Sequence, residues 1–327
     1  MSEAGPVPTL EALTPERLAA ARQRIAGRVV RTPLIRWYDA TDDREVWLKL
    51  ETLQPIGSFK LRGATSVLTS VAPEALAGGV VTASAGNMAQ GVAWGARELG
   101  VPCTVVVPDH APATKLKAIE RLGGRVIRIG FDDWWRVLEE RRFEGAPGFF
   151  VHPVADTEVI AGNASIGFEI AEDLPEVDTV LVPFGGGGLS SGIAAALRHA
   201  APAARVLAVE PETAAPFGAS LAAGRPVPFD YQPSFIDGSG GKSVLPAMWP
   251  IARALLAGAV AVSPAEAADA VRLLAERARV VAEGAGALAL AASRSEVSAG
   301  RRIVCIVSGG NIDAGRLAAI LGGQVPR

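Results

Sequence analysis

The sequence predicts an α/β protein with mainly parallel sheets, on three observations. Short apolar runs alternate with alanine-rich stretches of helical length, which is typical of an α/β fold. Several of these runs are apolar without alternation, as expected of parallel strands that are buried on both faces. The chain has 327 residues, of which 49% are hydrophobic, so it can bury a sizeable core in one large or two linked domains.

The elements follow from the same patterns along the chain. Roughly the first twelve residues are interpreted as a loose arm. A helix is predicted to begin with Thr14 as N-cap and Pro15 at the first helical position. The strands are then predicted at residues 46–50, 80–83, 104–107, 125–129, 179–182, 206–209 and 302–307.

Turn signals predict a division into two domains. Pro73, Gly78-Gly79 and the Gly145-Ala-Pro-Gly148 segment bracket a part of the chain that has its own strands and helices. Residues 76–149 are therefore predicted to form a small inserted domain. Residues 1–75 and 150–327 are predicted to form a discontinuous large domain, and ligands often bind between two domains.

Charge and cysteine content exclude several classes of function. The net charge is −2, from 32 basic and 34 acidic residues, so no nucleic-acid partner is indicated. No apolar run is long enough to span a bilayer and the amino terminus does not resemble a signal peptide, so neither a membrane partner nor secretion is expected. Cys103 and Cys305 lie far apart and form no CxxC motif, which argues against a disulfide framework or zinc site and fits the cytoplasm.

Lys60 is the most informative single residue. It lies in Ser58-Phe59-Lys60 and is enclosed in the sequence by Gly57, Phe59, Leu61 and Gly63, an unusual setting for a surface lysine. An ammonium held near apolar groups loses hydration, which lowers its pKa. A neutral lysine can form a Schiff base with an aldehyde cofactor. The alternative is an ordinary solvated surface charge.

A run of four glycines, Gly185–Gly188, follows a predicted strand and precedes a helical stretch. Backbone N–H groups in such a loop can approach an anion, and the helix dipole favours negative charge there. The dinucleotide motif GxGxxG is excluded, because its last glycine falls on Ser190 or Ser191. Gly241-Lys242-Ser243 is not the end of a P-loop, because Ile236 occupies the first glycine position. The loop therefore suits a phosphate monoester better than a dinucleotide, with a plain flexible turn as the alternative.

Two further segments follow predicted strands. Ser84-Ala-Gly-Asn-Met88 lies between a strand and a helix, and its N–H groups could bind a second anion; the alternative is a local turn. Ser308 comes directly after the strand at 302–307, where open α/β sheets commonly present ligand-binding groups. The alternative for Ser308 is a serine in an ordinary turn.

In this order and spacing, the four segments resemble the fold-type II pyridoxal-phosphate enzymes, and among them the threonine/serine dehydratase and serine racemase group. The resemblance extends from Arg31-Thr-Pro-Leu34 to Ser308. It implies a tryptophan synthase β-like fold of two open, mainly parallel α/β domains with the cofactor in the cleft. It also implies pyridoxal 5'-phosphate as cofactor, a small amino acid as substrate and a homodimer.

The resemblance implies a role for each motif. Lys60 would hold the cofactor covalently, Ser308 would face its pyridine nitrogen and Phe59 would pack beside its ring. The cofactor phosphate would bind at Gly185, Gly186, Gly187, Gly188 and Leu189. Asn87 would contact the phenolic oxygen of the cofactor. The substrate carboxylate would bind at Ser84, Ala85, Gly86, Asn87 and Met88.

Several positions depart from the family pattern. Met88 replaces the usual His, which suggests a pocket for a bulkier or more apolar β-substituent than a methyl group. Ala85 replaces the second acid/base serine of the racemases, which disfavours racemisation. Pro216 replaces the aspartate expected near Glu210, so no divalent metal site is expected. Val154 replaces the asparagine that follows His152-Pro153 in racemases.

These features predict an ammonia-lyase that converts a β-hydroxy amino acid, such as L-threonine or L-serine, to a 2-oxo acid and ammonia. An amino-acid racemase and a β-replacement or threonine synthase-like enzyme are the alternatives, because fold does not fix the reaction. A non-catalytic pyridoxal-phosphate-binding protein is the remaining alternative. The chain ends soon after Ser308, so no allosteric feedback through an additional C-terminal domain is expected.

Overall fold

Backbone proximity divides the chain into two units in the computed structural model, which describes residues 4–38, 44–298 and 300–326. The first unit contains the residues up to Val30 together with Lys60–Asn163. The second contains Arg31–Phe59 and the chain from Ala164 onward. The division at residues 76–149 stays a prediction about domains.

Ten strands and twelve α-helices are assigned among the described residues. The strands are β1 (Leu34–Trp37), β2 (Glu45–Leu50), β3 (Val80–Ala83), β4 (Cys103–Pro108), β5 (Gly124–Ile129), β6 (Phe149–Phe150), β7 (Thr179–Pro183), β8 (Arg205–Pro211), β9 (Gly258–Val262) and β10 (Arg302–Val307). The helices are α1 (Pro15–Ile25), α2 (Lys60–Ser70), α3 (Asn87–Leu99), α4 (Ala113–Arg121), α5 (Phe131–Glu140), α6 (Thr157–Asp173), α7 (Gly188–Ala200), α8 (Pro216–Ala223), α9 (Trp249–Leu255), α10 (Pro264–Leu273), α11 (Gly284–Ala292) and α12 (Ala314–Leu321). Helix α6 crosses from the first unit into the second.

The first unit is built on a four-stranded parallel sheet with the order β5-β4-β3-β6. All residues of β3 and β4 are buried, as expected for the central strands of a sheet covered on both faces. Helix α3 packs against α2 so closely that a Cβ at Gly91 would lie 3.1 Å from the Cβ of Ala64. The first turn of α3 is thereby held beside the start of α2.

The second unit contains a six-stranded sheet with the order β1-β2-β10-β7-β8-β9. Only β1 runs antiparallel, paired with β2, and the other pairings are parallel. Strands β7 and β10 lie in the middle of the sheet, and their residues are almost all buried. The two loops that follow these central strands begin at Phe184 and Ser308, and both carry predicted site residues.

The fold prediction is confirmed: the protein is α/β with mainly parallel sheets. All seven predicted strands are present, and Thr14 caps α1 by accepting the Arg17 N–H at 3.3 Å. Strands β1, β6 and β9 were not predicted. The loose arm is wrong for its described part, because Ala4 forms a β-bridge with Phe150. Short apolar peptides gain order from such edge contacts, which periodicity does not reveal.

Candidate active site

The segment before Lys60 is fixed by the loop after β10. The Phe59 N–H donates to the Ser308 carbonyl at 3.0 Å, and the Gly310 N–H donates to the Gly57 carbonyl at 2.9 Å. Ser58 and Gly309 form an antiparallel bridge between these two bonds. Gly57 has φ of +73°, a conformation that favours glycine. Phe59 is therefore held against the Ser308 backbone.

Lys60 follows Phe59 in the chain and opens α2. Its Nζ donates to the carbonyl of Pro153 at 2.9 Å, within the first unit. The side chain is half-buried, and burial of the ammonium lowers the pKa of Lys60 to about 8. A fraction of roughly a tenth is then neutral at pH 7, far more than for an ordinary lysine. This is the property that an amine nucleophile needs.

The positive charge of Lys60 acts on the nearby side chain of His152. The Nδ1 atom of His152 accepts the N–H groups of Val154 and Ala155, at 3.1 and 2.7 Å. Burial, together with the positive charges of Arg141 and Lys60, lowers the pKa of His152 to about 3. His152 is therefore a neutral imidazole with its proton on Nε2.

The glycine loop joins β7 to α7. Gly187 has φ of +88°, and a Cβ there would lie 3.1 Å from the ring of Phe184, so both conformation and space favour glycine. Gly187 is the N-cap of α7, and no side chain caps this helix. Leu189 is buried in the core of the second unit. The loop presents backbone rather than side chains at a helix N-terminus, as an anion site requires.

A second glycine-containing segment lies beside this loop and was missed by the sequence analysis. The Phe184 carbonyl accepts two hydrogen bonds, from the Gly240 N–H at 2.8 Å and from the Ser239 Oγ at 2.7 Å. A Cβ at Gly185 would lie 3.5 Å from the Gly238 carbonyl oxygen. The signal available in the sequence is the cluster of three glycines at 238–241, of which Gly241-Lys242-Ser243 resembles only the end of a P-loop.

The Ser84–Met88 segment joins β3 to α3 in the first unit. Ser84 Oγ accepts the Gly86 N–H at 3.3 Å, and Gly86 is the N-cap of α3 without a side-chain cap. Among the described residues, and apart from its chain neighbours and its own helix backbone, no atom lies within 4 Å of the position that a Cβ at Gly86 would take. Ala85 and Asn87 are half-buried, whereas Met88 is only 2% exposed. The segment offers backbone donors next to open space.

Helix α3, which begins at Asn87, packs against the start of α2 at Gly91. A Cβ at Gly91, one turn after Asn87, would lie 3.2 Å from the Lys60 carbonyl oxygen. In the second unit, the Phe59–Ser308 hydrogen bond joins two further predicted site residues. The Glu283 N–H donates to the Gly309 carbonyl at 3.0 Å, which places the start of α11 beside Ser308.

Three charged residues have structural partners. Lys49 is fully buried and pairs with Glu169 at 2.7 Å. Arg62, also fully buried, donates to the Val30 carbonyl at 3.2 Å. Glu210 accepts the N–H groups of Phe217 and Gly218 at the start of α8, at 2.9 and 2.8 Å. These contacts indicate a structural role for the three side chains.

The chain belongs to the family of pyridoxal-phosphate dependent enzymes, whose family model matches residues 25–309. It is 41% identical to an L-threonine ammonia-lyase from Thermotoga maritima, over 85% of this chain and 70% of the relative. It is 39% identical to the catabolic L-threonine dehydratase of Escherichia coli, over 92% and 94%. The structure of maize serine racemase superposes with a TM-score of 0.85 at 33% identity, covering 94% of this chain and 96% of that one.

The residues present fit the cofactor that the family uses. An aldehyde needs a lysine with a depressed pKa, which Lys60 supplies. A phosphate monoester needs backbone donors at an uncapped helix N-terminus, which the glycine loop supplies. The buried hydroxyls of Ser58 and Ser191 have no hydrogen-bond partner among the described residues, which leaves polar capacity near both loops of the second unit. The predicted cofactor, pyridoxal 5'-phosphate, is confirmed by the family.

Proposed function

We propose that this protein is an ammonia-lyase that converts a small β-hydroxy amino acid, such as L-threonine or L-serine, to a 2-oxo acid and ammonia. The observation that carries this proposal is its identity of 39 to 41% to threonine ammonia-lyases and dehydratases over most of the chain. Ala85, a residue that cannot transfer a proton, supports elimination rather than racemisation.

The roles of the site residues are part of the proposal. Lys60 anchors the cofactor and, once released by substrate, removes the proton from Cα. Its lowered pKa supports this role, because the neutral amine is the base. The bound cofactor supplies an electron sink for Cα. The backbone donors around Gly86 bind the substrate carboxylate, and those of Gly185, Gly186, Gly187, Gly188 and Leu189 bind the cofactor phosphate.

The remaining proposed contacts orient the reacting groups. Asn87 at the start of α3 would hold the cofactor's phenolic oxygen, and Ser308 would offer a neutral hydroxyl to its pyridine nitrogen. Phe59 packs beside the ring, and its hydrogen bond to Ser308 supports this placement. Ser84, with its Oγ on the Gly86 N–H, supports the shape of the carboxylate loop. Met88 is proposed to favour a larger β-substituent.

The test measures the anchor and the reaction separately. Purified protein is reduced with borohydride, and peptide mass spectrometry locates the reduced cofactor. Oxo-acid release is assayed with L-threonine, L-serine and L-threo-phenylserine, and D-serine is assayed in the same mixtures. We expect the cofactor on Lys60, oxo acid from at least one substrate and no D-serine.

A matched pair of lysine variants sharpens this test. Lys60→Ala is expected to lose both the peptide adduct and activity, whereas Lys117→Ala, at an exposed position on α4, keeps both. Formation of D-serine without oxo acid would contradict the lyase activity and indicate a racemase. A cofactor adduct on another lysine would contradict the proposed anchor.

The proposal extends to the quaternary state and the location. We propose a homodimer, as the family resemblance implies, and a cytoplasmic location. No helix in the described part of the chain is long and apolar enough to cross a membrane. Cys103 and Cys305 are both buried, free thiols, which suits a reducing compartment. Sedimentation equilibrium of the holoenzyme tests the dimer, and a monomer at all concentrations would overturn it.

A further inference from the structure

The carbonyl that receives the Lys60 amine belongs to a short loop in the first unit. Residues 152–156, here called the 152–156 loop, connect β6 to α6. Pro153, in this loop, accepts the hydrogen bond from Lys60 Nζ at 2.9 Å. The position of the amine therefore depends on what holds the loop in place.

Arg141 holds the loop from one side. It ends α5 in the left-handed conformation, with φ of +54°, and its side chain is only 15% exposed. Its guanidinium donates to the Ala155 carbonyl at 2.5 Å and to the Gly5 carbonyl at 2.7 Å. The same group lies 3.6 Å from Oδ2 of Asp156. One buried cation thus connects the loop, the amino-terminal arm and α6.

Asp156 is the carboxylate partner of this cation. It is fully buried, and its Oδ1 caps α6 by accepting the N–H groups of Glu158 and Val159, at 2.9 and 3.3 Å. Its Oδ2 has no hydrogen-bond partner among the described residues and faces Arg141 as an ion pair. A Cβ at Gly5 would lie 1.9 Å from that Oδ2 atom, so the arm packs directly on the pair.

The other end of the loop is closed by His152. Its Nδ1 accepts two loop N–H groups, those of Val154 and Ala155. Pro153 therefore lies between two fixed points of the loop. One is the His152 ring, which accepts hydrogen bonds from the backbone that follows, and the other is the Ala155 carbonyl, which Arg141 holds. Hydrogen bonds fix the loop at both ends, and the Pro153 carbonyl between them accepts the hydrogen bond from Lys60.

We propose that Arg141 is a positioning residue for Lys60: by fixing the 152–156 loop at Ala155 and Asp156, it sets the place of the Pro153 carbonyl that accepts the hydrogen bond from Lys60 Nζ. It acts whenever this amine is not bonded to the cofactor. This proposal rests on the proposed function, in which Lys60 is the reacting amine. Arg141 itself touches neither substrate nor cofactor in this account.

The test uses the full chain freed of cofactor. Acetic anhydride is applied in short pulses over a range of pH, and mass spectrometry measures acetylation of the Lys60 peptide. A carbonyl that accepts from the ammonium favours the charged form, so misplacing it lowers the lysine pKa. In Arg141→Gly we expect the labelling midpoint to move below about 8, with labelling about three- to tenfold faster below the midpoint, the ratio expected for one hydrogen bond.

The variants separate positioning from folding. Arg141→Gly removes the side chain at a position whose positive φ suits glycine, so the backbone is preserved. Arg142→Gly is the matched control, because Arg142 is exposed and pairs only with surface glutamates in the described structure. Gly5→Ala pushes the arm against Asp156 and should shift the midpoint in the same direction. Thermal unfolding checks that each variant is folded.

A folded Arg141→Gly with the wild-type labelling profile overturns the proposal, and so does an equal shift in Arg142→Gly. If Arg141→Gly does not fold, Gly5→Ala decides, and an unshifted profile there overturns the proposal. The labelling needs neither cofactor nor substrate. A wild-type chain without a cofactor adduct would thus refute the proposed function, while the labelling would still decide the role of Arg141.

Discussion

At the scale of single residues, the chemistry depends on what stands beside Lys60 and on what is missing from the Ser84–Met88 segment. The lysine pKa falls because its ammonium is desolvated. The neighbouring His152 stays neutral because burial and the positive charges of Arg141 and Lys60 lower its pKa. Position 85 carries a methyl group where a hydroxyl would be able to move a proton. In the proposed reaction, a base on one face of the substrate without an acid on the other favours elimination.

Ala85→Ser tests this reasoning. We expect the variant to form D-serine from L-serine, because a hydroxyl at this position restores a second proton carrier. Oxo-acid release should persist at a lower rate. Chiral chromatography of the reaction mixture measures both products. Ala85→Val enlarges the side chain without adding a transferable proton, so it should form no D-serine; D-serine from that variant would show that position 85 acts only through shape.

The sequence could reveal motif residues but not the residues that hold them. Lys60 and the four glycines at 185–188 stand out because their sequence neighbours are unusual. Arg141 does not, because it lies in the run Glu139-Glu-Arg-Arg142, where every residue resembles a solvated charge. Its burial follows from the left-handed end of α5 and from the arm that returns to it, and both are long-range features.

At the scale of elements, the strands that flank the site were predictable and those at the edges were not. Strands β7 and β10 are continuous apolar runs because both of their faces are covered. Strand β9 has the sequence Gly-Ala-Val-Ala-Val, and its alanines make it resemble a helical segment. Strand β6 has only two residues, too few for any period. Both become strands because a neighbouring strand supplies hydrogen bonds.

Asn311 is expected to stabilise the segment that leads to Lys60. Its Nδ2 donates to the Ile56 carbonyl at 2.8 Å. Asn311→Ala should lower the free energy of unfolding by about 1 kcal/mol, the typical net value of such a bond. Urea denaturation measures this change. Asn311→Asp keeps the size but loses the donor, so it should be no more stable than the alanine variant; wild-type stability in Asn311→Asp would contradict the role of the donor.

Glu210 at the end of β8 should make stability fall as pH rises. Burial raises the pKa of Glu210 to about 7 from an ordinary value of 4.5. The folded state then holds a proton that the unfolded state has lost, so stability decreases between pH of about 4.5 and 7. Glu210→Gln removes this titration. Its amide NH₂ group, however, would face one of the two N–H groups that the carboxylate accepts in the wild type.

The loss of unfolding free energy caused by that amide does not depend on pH. It therefore cancels when the difference between variant and wild type is compared at two pH values. Relative to wild type, Glu210→Gln should gain about 1–3 kcal/mol of unfolding free energy between pH of about 5 and 8. Denaturant titrations at the two pH values measure the difference. A variant whose stability stays parallel to wild type over this range would show that Glu210 remains ionised throughout.

At the scale of the whole molecule, each unit carries one cysteine in a buried strand, Cys103 in β4 and Cys305 in β10. Burial raises the pKa of both thiols to about 12, so neither forms the reactive thiolate at neutral pH. The family match at residues 25–309 includes both positions. Because each thiol is buried in one unit, its reactivity reports the unfolding of that unit.

We expect both cysteines of the native protein to resist iodoacetamide by about 100-fold or more relative to the unfolded chain, because alkylation requires exposure and a thiolate. In a denaturant series, each cysteine should become labelled where its own unit unfolds. Mass spectrometry of the two peptides gives two midpoints, which coincide if the units unfold together. Fast labelling of either cysteine without denaturant would contradict its burial.

The arm at the amino end has a practical consequence for handling the protein. The Gly5 carbonyl binds Arg141, and the Pro6 carbonyl accepts the Thr157 N–H at 3.2 Å, so the arm is secured at the base of α6. A purification tag fused ahead of Ala4 would lie next to these attachment points, and a protease that trims the arm would remove them. A carboxy-terminal tag avoids this interference and is the safer choice for kinetic work on Lys60.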